Sequence, residues 1–128
     1  MRIWVCIGAM SVFVMVMGCG DNGGGTAPTN HAPVLGPQSD TTVALGDSLE
    51  LWAVVEDSDG DVLTYTLTVH LTLAEFKQGY FPDAKFNTQT GYFWFRPSSD
   101  DRPSRDFTFG VNDGRGGLDS TRFTVTVN

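Results

Sequence analysis

Leu63-Thr64-Tyr65-Thr66-Leu67-Thr68-Val69-His70-Leu71-Thr72-Leu73 sets an apolar residue at every odd position and a polar one at every even position. Successive side chains of an extended strand point to opposite faces, so a period of two predicts a strand with one face in a core and one in water. The β-branched and aromatic residues in the run suit a pleated, half-buried surface. The same alternation sets Leu49, Leu51, Ala53 and Val55 against Glu50, Trp52, Val54 and Glu56. It returns in Phe93 and Phe95, in Phe107, Phe109 and Val111, and in Phe123, Val125 and Val127 with Thr124 and Thr126 between. Turn-forming clusters separate the runs: Leu45-Gly46-Asp47, Ser58-Asp59-Gly60-Asp61, Thr90-Gly91 and Asn112-Asp113-Gly114. Only Leu73 to Gly79 hints at a helical turn. The fold class predicted is all-β, a sandwich of two antiparallel sheets with about seven strands.

The chain has 128 residues, of which 15 are acidic and 8 basic, for a net charge of −7. This length sets one domain as the ceiling. The acidic balance, with no basic stripe, excludes nucleic acid and anionic lipid as electrostatic partners. Nine Phe, three Trp and 41% hydrophobic residues exclude a disordered chain.

The chain opens Met1-Arg2, runs apolar from Ile3 to Met17, and reaches Gly18-Cys19. One positive charge before a short apolar run has the layout of an export signal, and the run falls short of the ~20 residues a bilayer span needs. Val16-Met17-Gly18-Cys19 resembles the lipobox of bacterial lipoproteins. That resemblance implies that residues 1–18 are removed and that Cys19 is lipidated, anchoring the protein to the bacterial cell envelope. Gly20 after the Cys then implies the outer membrane where two membranes are present. Cys6 leaves with the signal, so the mature domain has no internal disulfide. Residues 19–33, with four glycines between 20 and 25, read as a flexible linker, and residues 34–128 as the folded domain.

Four motifs then follow in order: Asn30-His31-Ala32-Pro33-Val34; Val55-Glu56-Asp57-Ser58-Asp59-Gly60-Asp61; Thr90-Gly91-Tyr92-Phe93-Trp94-Phe95-Arg96-Pro97; and Phe107-Thr108-Phe109-Gly110-Val111-Asn112-Asp113-Gly114. The series resembles bacterial immunoglobulin-like and cadherin-like domains of surface proteins, and implies an immunoglobulin/cadherin-like β-sandwich. It also implies that Asp57, Asp59, Asp113 and Asn30 share a Ca²⁺ ion, with Asp61 as a fifth ligand. Read from the residues alone, Asp57, Asp59 and Asp61 fit two things: hard oxygen ligands for Ca²⁺, or a turn in which Asx side chains bond nearby backbone. An EF-hand is excluded, because Val62 and Thr68 occupy the positions that need Gly and Glu.

With Leu49, Leu51 and Phe93, Phe95 facing the core, parity turns Trp52, Val54, Tyr92 and Trp94 outward. In an immunoglobulin-like order their strands are neighbours, so these four form an aromatic face suited to sugar rings or a partner protein. Residues 70–86, with Phe76, Tyr80, Phe81 and Phe86, are the alternative: a segment that folds over this face and covers it.

No CxxC or HExxH is present, and Gly114-Arg115-Gly116-Gly117 follows a strand without opening a helix, so it reads as no phosphate cradle. His31 falls in the linker, and His70 on a threonine-lined face. Asp100-Asp101, in a Pro- and Ser-rich connection, reads as solvated loop. No catalytic group is assigned. The function expected is a non-catalytic, lipid-anchored binding or adhesion module, or alternatively a structural accessory lipoprotein of an envelope complex. The final strand ends at Val127-Asn128 after a full motif set, which reads as a whole protein rather than a fragment.

Overall fold

The computed structural model describes residues 27–128. The expected signal peptide, the lipobox and Cys19 lie outside the described residues. Among the described residues nine strands, one short α-helix and one 3-10 turn run in the order β1 (Val34–Leu35), β2 (Thr41–Val43), β3 (Leu49–Trp52), β4 (Val55–Glu56), β5 (Thr64–Val69), α1 (Leu73–Lys77), β6 (Asp83–Phe86), β7 (Tyr92–Arg96), the 3-10 turn (Ser99–Asp101), β8 (Ser104–Asn112) and β9 (Leu118–Val127). One sheet has the order β2-β9-β8-β5 and the other β3-β7-β6, while β1 and β4 form a small ribbon. The two main sheets supply seven strands and make a β-sandwich. All pairings are antiparallel except β2 with β9, which run parallel with Thr41 opposite Val125 and Val43 opposite Val127.

Two sequence runs end sooner than their alternation predicts. The run from Leu49 to Val55 divides at Ala53-Val54. β3 pairs with β7, whereas β4 pairs with β1, and the Gly36 N–H donates to the Val54 carbonyl at 2.8 Å. The run from Leu63 stops at Val69 because Thr72 caps α1. The Glu75 N–H donates to Thr72 Oγ1 at 3.3 Å, and the Thr72 N–H donates to Glu75 Oε2 at 2.7 Å. That reciprocal pair satisfies two N–H groups that a helix start leaves bare.

Odd-numbered residues of β7, β8 and β9 meet between the sheets. Phe93, Phe95, Phe107, Phe109 and Phe123 are each at most 1% exposed, and Val125 is fully buried. Their rings interlock: Phe93 lies 5.0 Å from Phe107, Phe95 lies 5.1 Å from Phe107, and Phe109 lies 4.8 Å from Phe123, all tilted or edge-on. Burying each ring contributes roughly 1.5–3 kcal/mol. No cysteine occurs among the described residues, so this cluster works without a covalent cross-link.

At the end of the sandwich where β8 starts, the inward position falls to Arg105 rather than to an apolar residue. Its guanidinium donates to Asp101 Oδ1 at 3.1 Å, to Glu75 Oε1 at 2.9 Å and to the Asp100 carbonyl at 3.0 Å. Tyr80 donates its hydroxyl to Asp101 Oδ1 at 2.5 Å and lies under the guanidinium, 5.2 Å from ring centroid to Cζ. Asp101, expected in a solvated loop, is fully buried, because Arg105 neutralises it and Ser98 donates to its second oxygen. The cluster also uses segment 70–86: Tyr80 and Glu75 point into it, and Phe86 packs on the core. Phe76 and Phe81 remain in solvent.

Two outcomes are expected from this network. Arg105→Met strands the buried Asp101 carboxylate and lowers unfolding free energy by about 3–5 kcal/mol in chemical denaturation. Glu75 is held at a pKa of about 2, against 4.5, chiefly by the hydrogen bond from Arg105 and then by those from Thr72. Its contribution is complete above the ordinary carboxylate range and fades as pH falls through the folded value. Acid unfolding followed by circular dichroism therefore shows a melting temperature that drops between pH 4.5 and 2, and Glu75→Gln flattens that part of the curve.

Candidate functional site

At the opposite end, the turn between β4 and β5 meets the turn between β8 and β9, and residues 30–33 run in beside them. Asp57 uses one oxygen to make its turn: Oδ1 accepts from the Asp59 N–H at 2.8 Å and the Gly60 N–H at 3.3 Å. Its other oxygen, Oδ2, is buried with no hydrogen-bond partner. The two readings of the aspartate run are thus compatible, because the turn consumes only half of the carboxylate. Asp61 has the same division. Oδ1 accepts from Arg115 at 3.3 Å, and Oδ2 is buried and unpartnered. Carboxylate oxygens of Asp57, Asp59 and Asp61 lie within 4.8 Å of one another.

Asp113, 3% exposed, organises the second turn. Its Oδ1 accepts from the Arg115 N–H at 2.7 Å and the Gly117 N–H at 2.8 Å, while Oδ2 accepts from Asn30 Nδ2 at 2.7 Å. The carbonyl oxygen of the Asn30 side chain is buried and unpartnered. The next residue, His31, donates its backbone N–H to Asp59 Oδ2 at 2.6 Å and sets its ring Nδ1 2.9 Å from Asp59 Oδ1. Consecutive residues Asn30 and His31 therefore stitch the two aspartate turns together. All five residues expected to share an ion, Asn30, Asp57, Asp59, Asp61 and Asp113, lie at this one end. His31, read as linker, is docked here, and so is Arg115; neither was singled out from the sequence as part of the site.

The electrostatics agree with the geometry. The His31 backbone N–H and ring hold Asp59 below the usual carboxylate range. The Asn30 side-chain amide, followed by the Arg115 and Gly117 N–H groups, does the same for Asp113. Both aspartates stay ionised at neutral pH. Asp57, Asp59 and Asp61 bring carboxylate oxygens together, Asp57 and Asp61 each with an unpartnered buried oxygen, and such an all-oxygen set suits a hard divalent cation. The unpartnered Asn30 oxygen lies on the lead-in that is bonded to Asp113. A buried oxygen without a partner costs about 1–3 kcal/mol unless something occupies it.

Glycine at position 117 is what allows the close approach. A Cβ built there would lie 2.1 Å from Asp113 Oδ2 and 2.8 Å from Ala32 Cα.

Of the four outward residues, Trp52, Tyr92 and Trp94 lie on the β3-β7-β6 sheet, whereas Val54 falls in the break after β3, where its carbonyl accepts from the Gly36 N–H. Trp52 stands opposite Tyr92, and Trp94 stands between Glu50 on β3 and Lys85 on β6. Trp52 is 55% and Val54 69% exposed, while Tyr92 and Trp94 are half-buried. The Trp52 and Tyr92 rings are 5.2 Å apart at 50°, and the Lys85 ammonium lies 4.9 Å from the Trp94 ring centroid. Segment 70–86 joins this sheet at its edge as β6, and Trp52 stays exposed.

The family model described as "Bacterial Ig domain" matches residues 30–126. Comparison with curated protein sequences gave no match. Solved structures with the same fold include a nucleoside hydrolase-related hypothetical protein from Saccharophagus degradans, associated with carbohydrate metabolism. It has a TM-score of 0.60 and 16% identity, over 77% of this chain and 26% of that one. Drosophila N-cadherin matches with a TM-score of 0.55 and 12% identity, over 77% and 25%. Human mucin-like protocadherin matches with a TM-score of 0.55 and 17% identity, over 76% and 53%. The chain thus spans about half of the last of these and about a quarter of the other two.

Gly117→Ala is expected to push Asp113 and Ala32 apart and to lower stability by about 1–3 kcal/mol in denaturant unfolding, the usual range for overpacking.

Proposed function

The chain belongs to the bacterial Ig domain family, and we propose that it acts as a non-catalytic binding or adhesion module displayed on the bacterial cell envelope, with Ca²⁺ stabilising the end where the linker joins. The three buried, unpartnered oxygens of Asn30, Asp57 and Asp61 carry the calcium reading. Asp59 and Asp113 add ionised carboxylates on either side. Bound there, Ca²⁺ would supply the positive charge that the leftover carboxylate oxygens lack, adding to the hydrogen bonds that already join the lead-in to the two turns. The cadherin and protocadherin structures that share the fold support the reading of an extracellular module. Residues 1–18 are the export signal, Cys19 the lipid anchor and residues 20–29 the tether to the outer membrane in a two-membrane cell, with Asn30 and His31 docked on the domain. Trp52, Val54, Tyr92 and Trp94 are the face offered to a partner.

Thermal unfolding of the full chain in detergent tests the calcium site. A ligand that binds only the folded state stabilises it by about 2.7 kcal/mol at a hundred times its Kd. For a Kd of about 0.1 mM, in the range of extracellular modules, about 10 mM Ca²⁺ meets that condition. The melting temperature is then expected to rise by roughly 10 °C or more over the value in EDTA. Mg²⁺ gives a smaller rise because it demands a tight octahedral shell. Asp57→Asn and Asp61→Asn reduce the response. An unchanged melting temperature in Ca²⁺ overturns the site.

A further inference from the structure

We infer that the outer face of the β3-β7-β6 sheet is a platform for an uncharged glycan chain, an assignment that rests on reading this face as the protein's interaction surface. Two arguments, one of charge and one of size, select this occupant.

The outward side chains around the aromatic rungs are Glu50 on β3, Arg96 on β7, and Asp83 and Lys85 on β6. Two acids and two bases leave the face with no net charge, on a chain whose net charge is −7. A polyanion would find no excess of cations here and would be repelled by the rest of the molecule. A second copy would bring one net negative charge against another. A neutral ligand rich in hydroxyl groups meets neither obstacle, and it can both donate to Glu50 and Asp83 and accept from Lys85 and Arg96.

Size points the same way. Three strands spaced ~4.8 Å apart span ~10 Å, and two rungs along β7 add ~7 Å. The aromatic platform is therefore roughly 70 Å² at the backbone and on the order of 100 Å² with its rings, well below the ~800 Å² per partner that a stable protein interface buries. It matches one or two sugar rings. A pyranose carries its C–H bonds on the faces and its hydroxyls around the rim. Its face packs on an exposed indole such as Trp52, and the rim reaches the charged groups beside Trp94.

Affinity electrophoresis of the full chain in detergent tests this, in gels containing soluble β-glucan, galactomannan or xylan, with alginate as a charged comparison. Retardation by at least one neutral polysaccharide is expected. Trp52→Ala and Trp94→Ala each weaken it about tenfold or more, as loss of an aromatic anchor does. Trp94→Phe keeps a stacking ring and retains part of it, and Phe76→Ala, altered at an exposed site elsewhere, leaves it unchanged. Retardation by alginate alone, by none of the gels, or undiminished from that of the unaltered chain in both tryptophan-to-alanine variants overturns the assignment. So does a concentration-dependent dimer in sedimentation that Trp52→Ala abolishes, since a second copy then occupies the face. Acrylamide quenching in a Trp4→Phe background separates the two levels of the argument. Accessible Trp52 and Trp94 without glycan binding reject only the glycan, whereas shielded rings reject the face as a binding surface altogether.

Discussion

Everything in this domain is hung on five phenylalanine rings held between two sheets. Phe93 and Phe95 project from one sheet, and Phe107, Phe109 and Phe123 from the other. Edge-on and offset contacts between them fix the spacing of the sheets and their lateral position, because tilted rings resist sliding where flat aliphatic surfaces would not. With no disulfide in the folded part, this cluster determines how far apart the loops at each end can sit. The aspartate turns are brought together because β4, β5, β8 and β9 leave the core at that end, not because the aspartates attract each other.

The two ends of the sandwich solve the problem of charge near a core in contrasting ways. At the Arg105 end, one cation satisfies two carboxylates, and Tyr80 and Ser98 take up the remaining oxygen capacity of Asp101. The network is closed, and it is structural. At the aspartate end, three oxygens are left over after every turn and lead-in contact has been made. Arg115 and His31 supply partial compensation from the rim, each reaching one aspartate of the 57–61 turn. That open set is what the calcium proposal rests on.

Alternation made most of the fold legible. It identified the buried residues of β7, β8 and β9 and the outward turn of Trp52, Tyr92 and Trp94, because facing is a local property of an extended chain. Which strand pairs with which is not local. The period of two runs unbroken from Leu49 to Glu56, although the partner changes from β7 to β1 in the middle. Past Val69 the alternation persisted to Leu73 while the backbone turned helical, and Thr72 with Glu75 three residues on was the signal that outweighed it. Asp101 was hidden by its polar neighbours. The clue lay in Arg105, which shares the inward parity of Phe107 and Phe109 and so had to be neutralised from inside. His31 carried no signal in the sequence, because its role depends on Asp59, 28 residues away.

The parallel pairing of β2 with β9 has a mechanical consequence. The lead-in segment meets the sandwich at the aspartate end, while β9 finishes at the Arg105 end. Tension applied between these points pulls β2 and β9 along their length in opposite directions. Their ladder, extended by the Leu45 N–H to the Asn128 carbonyl and the Asn128 N–H to the Val43 carbonyl, is then loaded in shear, all rungs at once. A hairpin pulled open from one end would instead lose its rungs singly, like a zip. Force entering along the lead-in and leaving past Val127 is thereby met by the whole ladder rather than by its first rung.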